Sequence, residues 1–122
     1  MKKLHLDAAA PRQELHDLLS LTGAEVSVNR LPAMAAVPFV HRHRQNEEIY
    51  GVLEGKGEIF LDGEVTPIEA GDWFKVEPKS ARAIRALEEG ITFICIQVKA
   101  DSLTQFTMGD GELVGDQKAP WL

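Results

Sequence analysis

Residues 38–57 read PFVHRHRQNEEIYGVLEGKG, and the rest of the chain is understood from this stretch outward. His41 and His43 stand two apart, a spacing that on an extended strand turns both imidazoles to one face while Val40, Arg42 and Arg44 take the other. Glu48 follows a turn-like Arg-Gln-Asn, so three potential metal ligands converge over residues 41–48. The strand that continues from Glu48 runs into Glu54-Gly55-Lys56-Gly57, whose glycines supply the positive φ values of a tight reversal. The pattern predicts that the ligands sit on a hairpin. Tyr50, two residues beyond Glu48, shares its face and places a phenol at or near the cavity, as pocket lining or as core.

Composition sets the frame. A chain of 122 residues can bury a core without disulfides or structural zinc. Its formal net charge of -6 disfavours nucleic acid and anionic membrane as partners. A lone cysteine, Cys95, excludes an internal disulfide and a Cys-rich zinc module, and it fits a reducing compartment, so a cytoplasmic protein is expected. The segment after Met1-Lys2-Lys3 contains His5 and Asp7 and never builds a signal-peptide core, and no run approaches the roughly 18 apolar residues of a membrane span.

Pro11 to Gly23 reads as a short helix, with Leu15, Leu18 and Leu19 at helical spacing. From Ala24 the period changes to two: Val26 and Val28 alternate with Glu25, Ser27 and Asn29, giving a half-buried strand that lasts until Pro32. Phe39, His41 and His43 form one face of the next strand. Further strands are expected at Glu48 to Glu54, Glu58 to Leu61, Val65 to Ile68, Trp73 to Val76, Ala81 to Leu87 and Ile91 to Lys99. Asp62-Gly63, Gly71-Asp72 and Glu88-Glu89-Gly90 mark turns between them. Many short strands with glycine-rich turns predict a sandwich or barrel. Residues 101–122 lose the pattern and read as a loose tail, or as an arm packing on the barrel or a second subunit.

These features resemble the small single-domain cupins. Their first motif runs glycine, five residues, His-x-His, three or four residues, Glu, six residues, Gly; His41, His43, Glu48 and Gly55 match it, and Ala35 stands at the opening glycine. The second motif runs Gly, five residues, Pro-x-Gly, two residues, His, three residues, Asn. Gly71 begins it, but Glu77, Lys79, Arg82 and Ala86 occupy the later positions, and shifting the register to use Pro78 places Ala83 where the histidine belongs. The resemblance covers about residues 30 to 99. It implies an all-β fold, a cupin-type double-stranded antiparallel β-barrel (jelly roll) with a short N-terminal helix. One domain over 1–122 is expected, with a barrel core over about 24–100, a helical segment over 1–23 and a tail over 101–122. It further implies a homodimer and a divalent metal (Fe, Mn, Ni or Zn) on His41, His43 and Glu48.

Arg82 at the fourth-ligand position changes the chemistry, because a guanidinium has no lone pair to donate and prefers to fork onto carboxylate or phosphate. Two readings stay open. In the first, His41, His43 and Glu48 hold a metal with open positions, as in a two-His-one-carboxylate site, and Glu48, Arg82 and Tyr50 act on a small anionic molecule, for which the resemblance implies oxygenase, decarboxylase or isomerase chemistry. In the second, Arg82 pairs with Glu48 and a metal-free, non-enzymatic cupin binds a small ligand or partner.

Remaining features have bland readings. His5 and His16 are read as surface residues, Cys95 as a small core side chain, and the GDGE of the tail as a turn rather than a calcium loop. Gln97 interrupts the apolar last strand and needs a polar partner. Trp73, Lys75 and Glu77 share one face of their strand, so Trp73 is a pocket wall if that face looks inward and a rim or contact residue otherwise.

Overall fold

The computed structural model describes residues 1–122. Its elements, in chain order, are β1 (Arg12–Glu14), α1 (Leu15–Leu19), β2 (Glu25–Leu31), β3 (Asn46–Leu61), β4 (Glu64–Glu69), β5 (Trp73–Val76), β6 (Arg82–Lys99) and a 3-10 turn at Thr107–Gly109. The strands form an antiparallel sheet in the order β1-β2-β6-β3-β4, with β5 also paired to β3. The fold is the expected all-β cupin barrel.

The barrel is built on two long strands where the sequence predicts four short ones. Gly55 and Gly90 do not reverse the chain; both carry positive φ (79° and 73°) inside continuous strands. The β3–β6 register slips between Val52 and Glu54 and again between Gly55 and Gly57. Such bulges bend a strand without ending it. One half of the pairing joins Asn46–Gly55 to Ile91–Lys99, and the other joins Gly57–Leu61 to Arg82–Ala86. A Cβ on Gly55 would collide with the carbonyl oxygen of Gly90, so the two glycines let the backbones cross at the bend. Asp62-Gly63 and Gly71-Asp72 do turn the chain, as predicted: Leu61 pairs with Glu64 across the first, and Gly71 has φ 98° in the second.

The N-terminal helix is shorter than expected. Only Leu15–Leu19 is helical, because residues 12–14 pair with β2 instead (Arg12 opposite Asn29, Gln13 opposite Val28, Glu14 opposite Ser27). A helix of so few turns is marginal in water, and the open sheet edge offers its backbone better partners. The histidine segment is not a strand of the sheet, nor do the ligands sit on a hairpin. It runs extended beside β6, touching it through isolated bridges at Ala36–Arg85 and His41–Arg82. Pro38 cannot donate to a ladder, which limits regular pairing here.

Side-chain alternation then fixes the interior. Tyr50, Val52, Ile59, Ile84, Phe93 and Cys95 belong to the buried core, with Phe74 packed against it. Tyr50 stacks on Phe74, their ring centroids 5.2 Å apart and nearly parallel. Trp73 and Lys75 face out, and the Trp73 indole lies over Gly51, where a side chain would strike it. Residues 101–122 make no strand, and Leu103, Phe106, Met108, Leu113, Val114 and Trp121 are all exposed.

Candidate metal centre

His41 and His43 enter the cavity from the extended segment, Glu48 and Tyr50 from β3, Arg82 from the first residue of β6, and Cys95 from its second half. The backbone of His41 is held by exchange with Arg82 (His41 N–H to Arg82 O 3.0 Å, Arg82 N–H to His41 O 2.9 Å), and His43 N–H donates to Pro78 O at 2.8 Å. These bonds keep the segment extended, so the alternation works as the sequence predicts. Phe39, His41 and His43 line the cavity, while Val40, Arg42 and Arg44 are exposed.

Ligand atoms from His41, His43 and Glu48 all lie within 4.8 Å of one another, so the three form a cluster that could hold a metal ion. Glu48 is 2% exposed, and both its oxygens have partners. Tyr50 OH donates to Oε1 at 3.1 Å, and Cys95 Sγ donates to Oε2 at 3.0 Å. Arg82 Nε lies 3.0 Å from Oε1, and His43 Nε2 lies 3.5 Å from Oε2. His41 Nδ1 and His43 Nε2 are buried without any hydrogen-bond partner. A buried polar atom left so is unusual and calls for a reason. Orphaned imidazole nitrogens beside a buried carboxylate suit a divalent cation that takes nitrogen and oxygen donors.

Arg82 is wholly buried, and its guanidinium is largely engaged by main chain. NH1 donates to Pro78 O (3.2 Å) and Ser80 O (2.8 Å), and NH2 donates to Glu77 O (3.1 Å). Its Nε–H is within ion-pair range of Glu48 but is not aligned for a hydrogen bond. Arg82 therefore presents a positive charge to Glu48 while its forked end ties down the turn that replaces the second motif.

Burial favours the neutral forms of His41, Tyr50 and Cys95. It lowers the His41 pKa below 6.5, with Arg82 and His43 adding to the effect and Glu48 opposing it. Burial chiefly, with Cys95 and Glu48 beside it, pushes the Tyr50 phenol well above its ordinary range. The Cys95 thiol is likewise raised, by burial and then by its bond to Glu48. Tyr50 is thus a protonated donor, and Cys95 is a thiol rather than a thiolate.

The cluster borders a cavity of about 510 Å³, walled by Leu31, Val37, Phe39, Ile84 and Phe93 on its apolar side. Gln97 lines it too, and accepts a hydrogen bond from Asn46 Nδ2 at 3.4 Å. The sequence reading brings out His41, His43, Glu48, Tyr50 and Arg82, all of which the fold gathers here, but it passes over Arg12 and Asn29, which also line the cavity. The signal for Asn29 was the alternation of β2: Ser27 and Asn29, two of its polar residues, are 2% and 5% exposed, so that polar face looks inward. A buried polar stripe on a strand marks a polar cavity on that side. His5 and His16 lie outside the cavity.

A cupin domain model matches residues 30–97. Among solved structures, a cupin protein from Bacteroides fragilis is 56% identical, covering 92% of this chain and 95% of that one with a TM-score of 0.88. A predicted oxalate decarboxylase from Thermotoga maritima is 25% identical, covering 62% and 64% with a TM-score of 0.55. An uncharacterised protein of Methanocaldococcus jannaschii is 25% identical over 88% of this chain and 83% of its own length. With the matched region spanning the histidine segment and every strand from β3 to β6, this chain belongs to the cupin domain family.

Proposed function

We propose that this chain is a metal-dependent cupin enzyme that acts on a small, anionic molecule. The observation that carries the reading is the meeting of two buried, partnerless imidazole nitrogens with the Glu48 carboxylate in one cluster. Iron, manganese, nickel and zinc all accept this mixed donor set. Such an ion, when bound, supplies Lewis-acid polarisation of a substrate oxygen. The chain's own residues do the rest. Tyr50, Cys95 and Arg82 fix the carboxylate, so its orientation does not depend on the ion. Leu31 and Phe93 give the cavity an apolar wall beside the cluster. Likeness to a predicted oxalate decarboxylase supports decarboxylation of a small acid, and oxygenase or isomerase chemistry fits the same centre.

The test is metal analysis of protein purified without a histidine tag, together with thermal shift on adding iron, manganese, nickel or zinc. Stoichiometric metal that falls away in His41→Ala, with the barrel still folded, is the expected result. No metal above background and no shift with any ion would sink the reading. A second reading draws on the Arg82–Glu48 contact: a metal-free cupin that binds a small ligand without turning it over. Ligand binding with no metal dependence would favour it.

We place the protein in the cytoplasm on the strength of its single free thiol. We also propose a homodimer. The outward sheet face carries Ile49, Ile94, Ile96 and Trp73, and the exposed tail side chains need a partner surface. A monomer by light scattering would exclude this.

A further inference from the structure

Two arginines line the cavity, and they are not equivalent. Arg82 has NH1 and NH2 donated to the carbonyls of Glu77, Pro78 and Ser80. Arg12, on the short strand β1, has Nε on Glu14 Oε1 at 2.9 Å and NH1 on Asn29 Oδ1 at 2.6 Å, and NH2 makes no hydrogen bond to protein. The Asn29 contact is anchored from below. Asn29 Nδ2 donates to Ser27 Oγ at 3.0 Å and Asn29 is nearly fully buried, so its amide oxygen is aimed at Arg12. Because Arg12 sits opposite Asn29 in the β1–β2 register, the strand pairing that replaces the expected helix is what brings this guanidinium to the cavity.

We infer that Arg12, positioned by Asn29, is the anion-recognition residue of the cavity. It would take one oxyanion of a small acid, carboxylate or phosphate, whose other end reaches His41, His43 and Glu48. The inference rests on the reading of this cavity as a substrate site. Held through Nε by Glu14 and through NH1 by Asn29, the guanidinium keeps the N–H groups of NH2 for charge-assisted contact with an oxyanion. A half-exposed position at the mouth suits capture from solvent, whereas the fully buried Arg82 is screened from an incoming ligand. Glu14 is the one acidic neighbour bound to Arg12, and it competes with the ligand for the same cation. Leu31 and Phe39 stand ready for the apolar part of the acid.

Calorimetric titration of the purified protein, metal-loaded and metal-stripped, with succinate and separately with inorganic phosphate tests the assignment and distinguishes the two oxyanions. Arg12→Gln should weaken binding of the preferred anion by at least about tenfold, with metal content unchanged. Arg12→Lys should retain part of the affinity, and Glu14→Gln should raise it. Arg12-dependent binding that persists in stripped protein supports the subsite even if the metal reading fails. Equal affinity in wild type and Arg12→Gln, or no binding of either anion by the wild type, overturns the inference. The half-exposed position of Arg12 leaves little for the substitution to disturb in folding, which unfolding curves of each variant verify.

Discussion

Arg82 Nε lies 3.0 Å from Glu48 Oε1, and the two side chains are 1% and 3% exposed. An ion pair at this depth needs further hydrogen bonds to its other donors, and the Glu77, Pro78 and Ser80 carbonyls engage both terminal nitrogens of the guanidinium. The position where the family pattern has a fourth metal ligand therefore holds a structural cation. Its guanidinium joins the ligand-bearing strand β3 to the turn before β6.

Removing that cation should be severe. Arg82→Leu leaves the Glu48 carboxylate buried without its charge partner and strips three main-chain carbonyls of their donor, which is expected to cost about 3–5 kcal/mol. Urea unfolding of metal-free protein measures it. A loss below about 1 kcal/mol would mean that the pair contributes little and that water replaces it readily.

Arg82→His separates stability from metal affinity. The imidazole offers a lone pair at the place where the guanidinium offered a charge, and a unit charge about 4 Å from another at an effective dielectric of 20 is worth about 4 kcal/mol. The variant should bind zinc or manganese at least about tenfold more tightly in chelator competition, while its metal-free form unfolds at lower temperature. Weaker metal binding would place Arg82 away from the metal's electrostatic reach.

Gly55 and Gly90 show what could and could not be read from residues alone. A positive-φ glycine serves both a hairpin turn and a bulge inside a continuous strand, and only the pairing partner distinguishes them. Asp62-Gly63 is legible as a turn because its partners, Leu61 and Glu64, are adjacent in sequence. Gly55 pairs with Ile91, far along the chain, so its role depends on non-local contact. The same reason hides Arg12. Leucines at helical spacing after Pro11 describe a local preference, and pairing with β2 overrides it at residues 12–14. His41, His43 and Glu48 are legible because strand alternation is local, and it survives even where the segment is not a paired strand.

Gly55→Ala follows from the bend. The substitution puts a side chain at φ 79° and drives its Cβ into the Gly90 carbonyl, so backbone strain of about 1–3 kcal/mol adds to a steric clash with main chain that cannot swing aside. Alanine at Gly63, also at positive φ (95°) but with nothing within 4 Å, should show the strain alone. Comparing the two by thermal unfolding isolates the clash. Equal losses would show that the strands separate at the bend at little cost.

The pH dependence of the metal-free protein tests the state of His41. Burial holds its folded pKa below the ordinary 6.5, so in the window from 6.5 down to that lowered value the unfolded chain binds the extra proton and the folded chain does not. The stabilising contribution is fully present above 6.5 and is lost as pH falls through the window; below the folded pKa, His41 adds no further slope. Urea unfolding at steps from about pH 7.5 to about pH 5 should show wild-type stability falling faster than that of His41→Gln, which cannot titrate. Other groups titrate in both proteins and drop out of the difference. Parallel curves would mean that His41 is solvated well enough to take up its proton in the folded state, and the orphaned nitrogen would then need no metal to explain it.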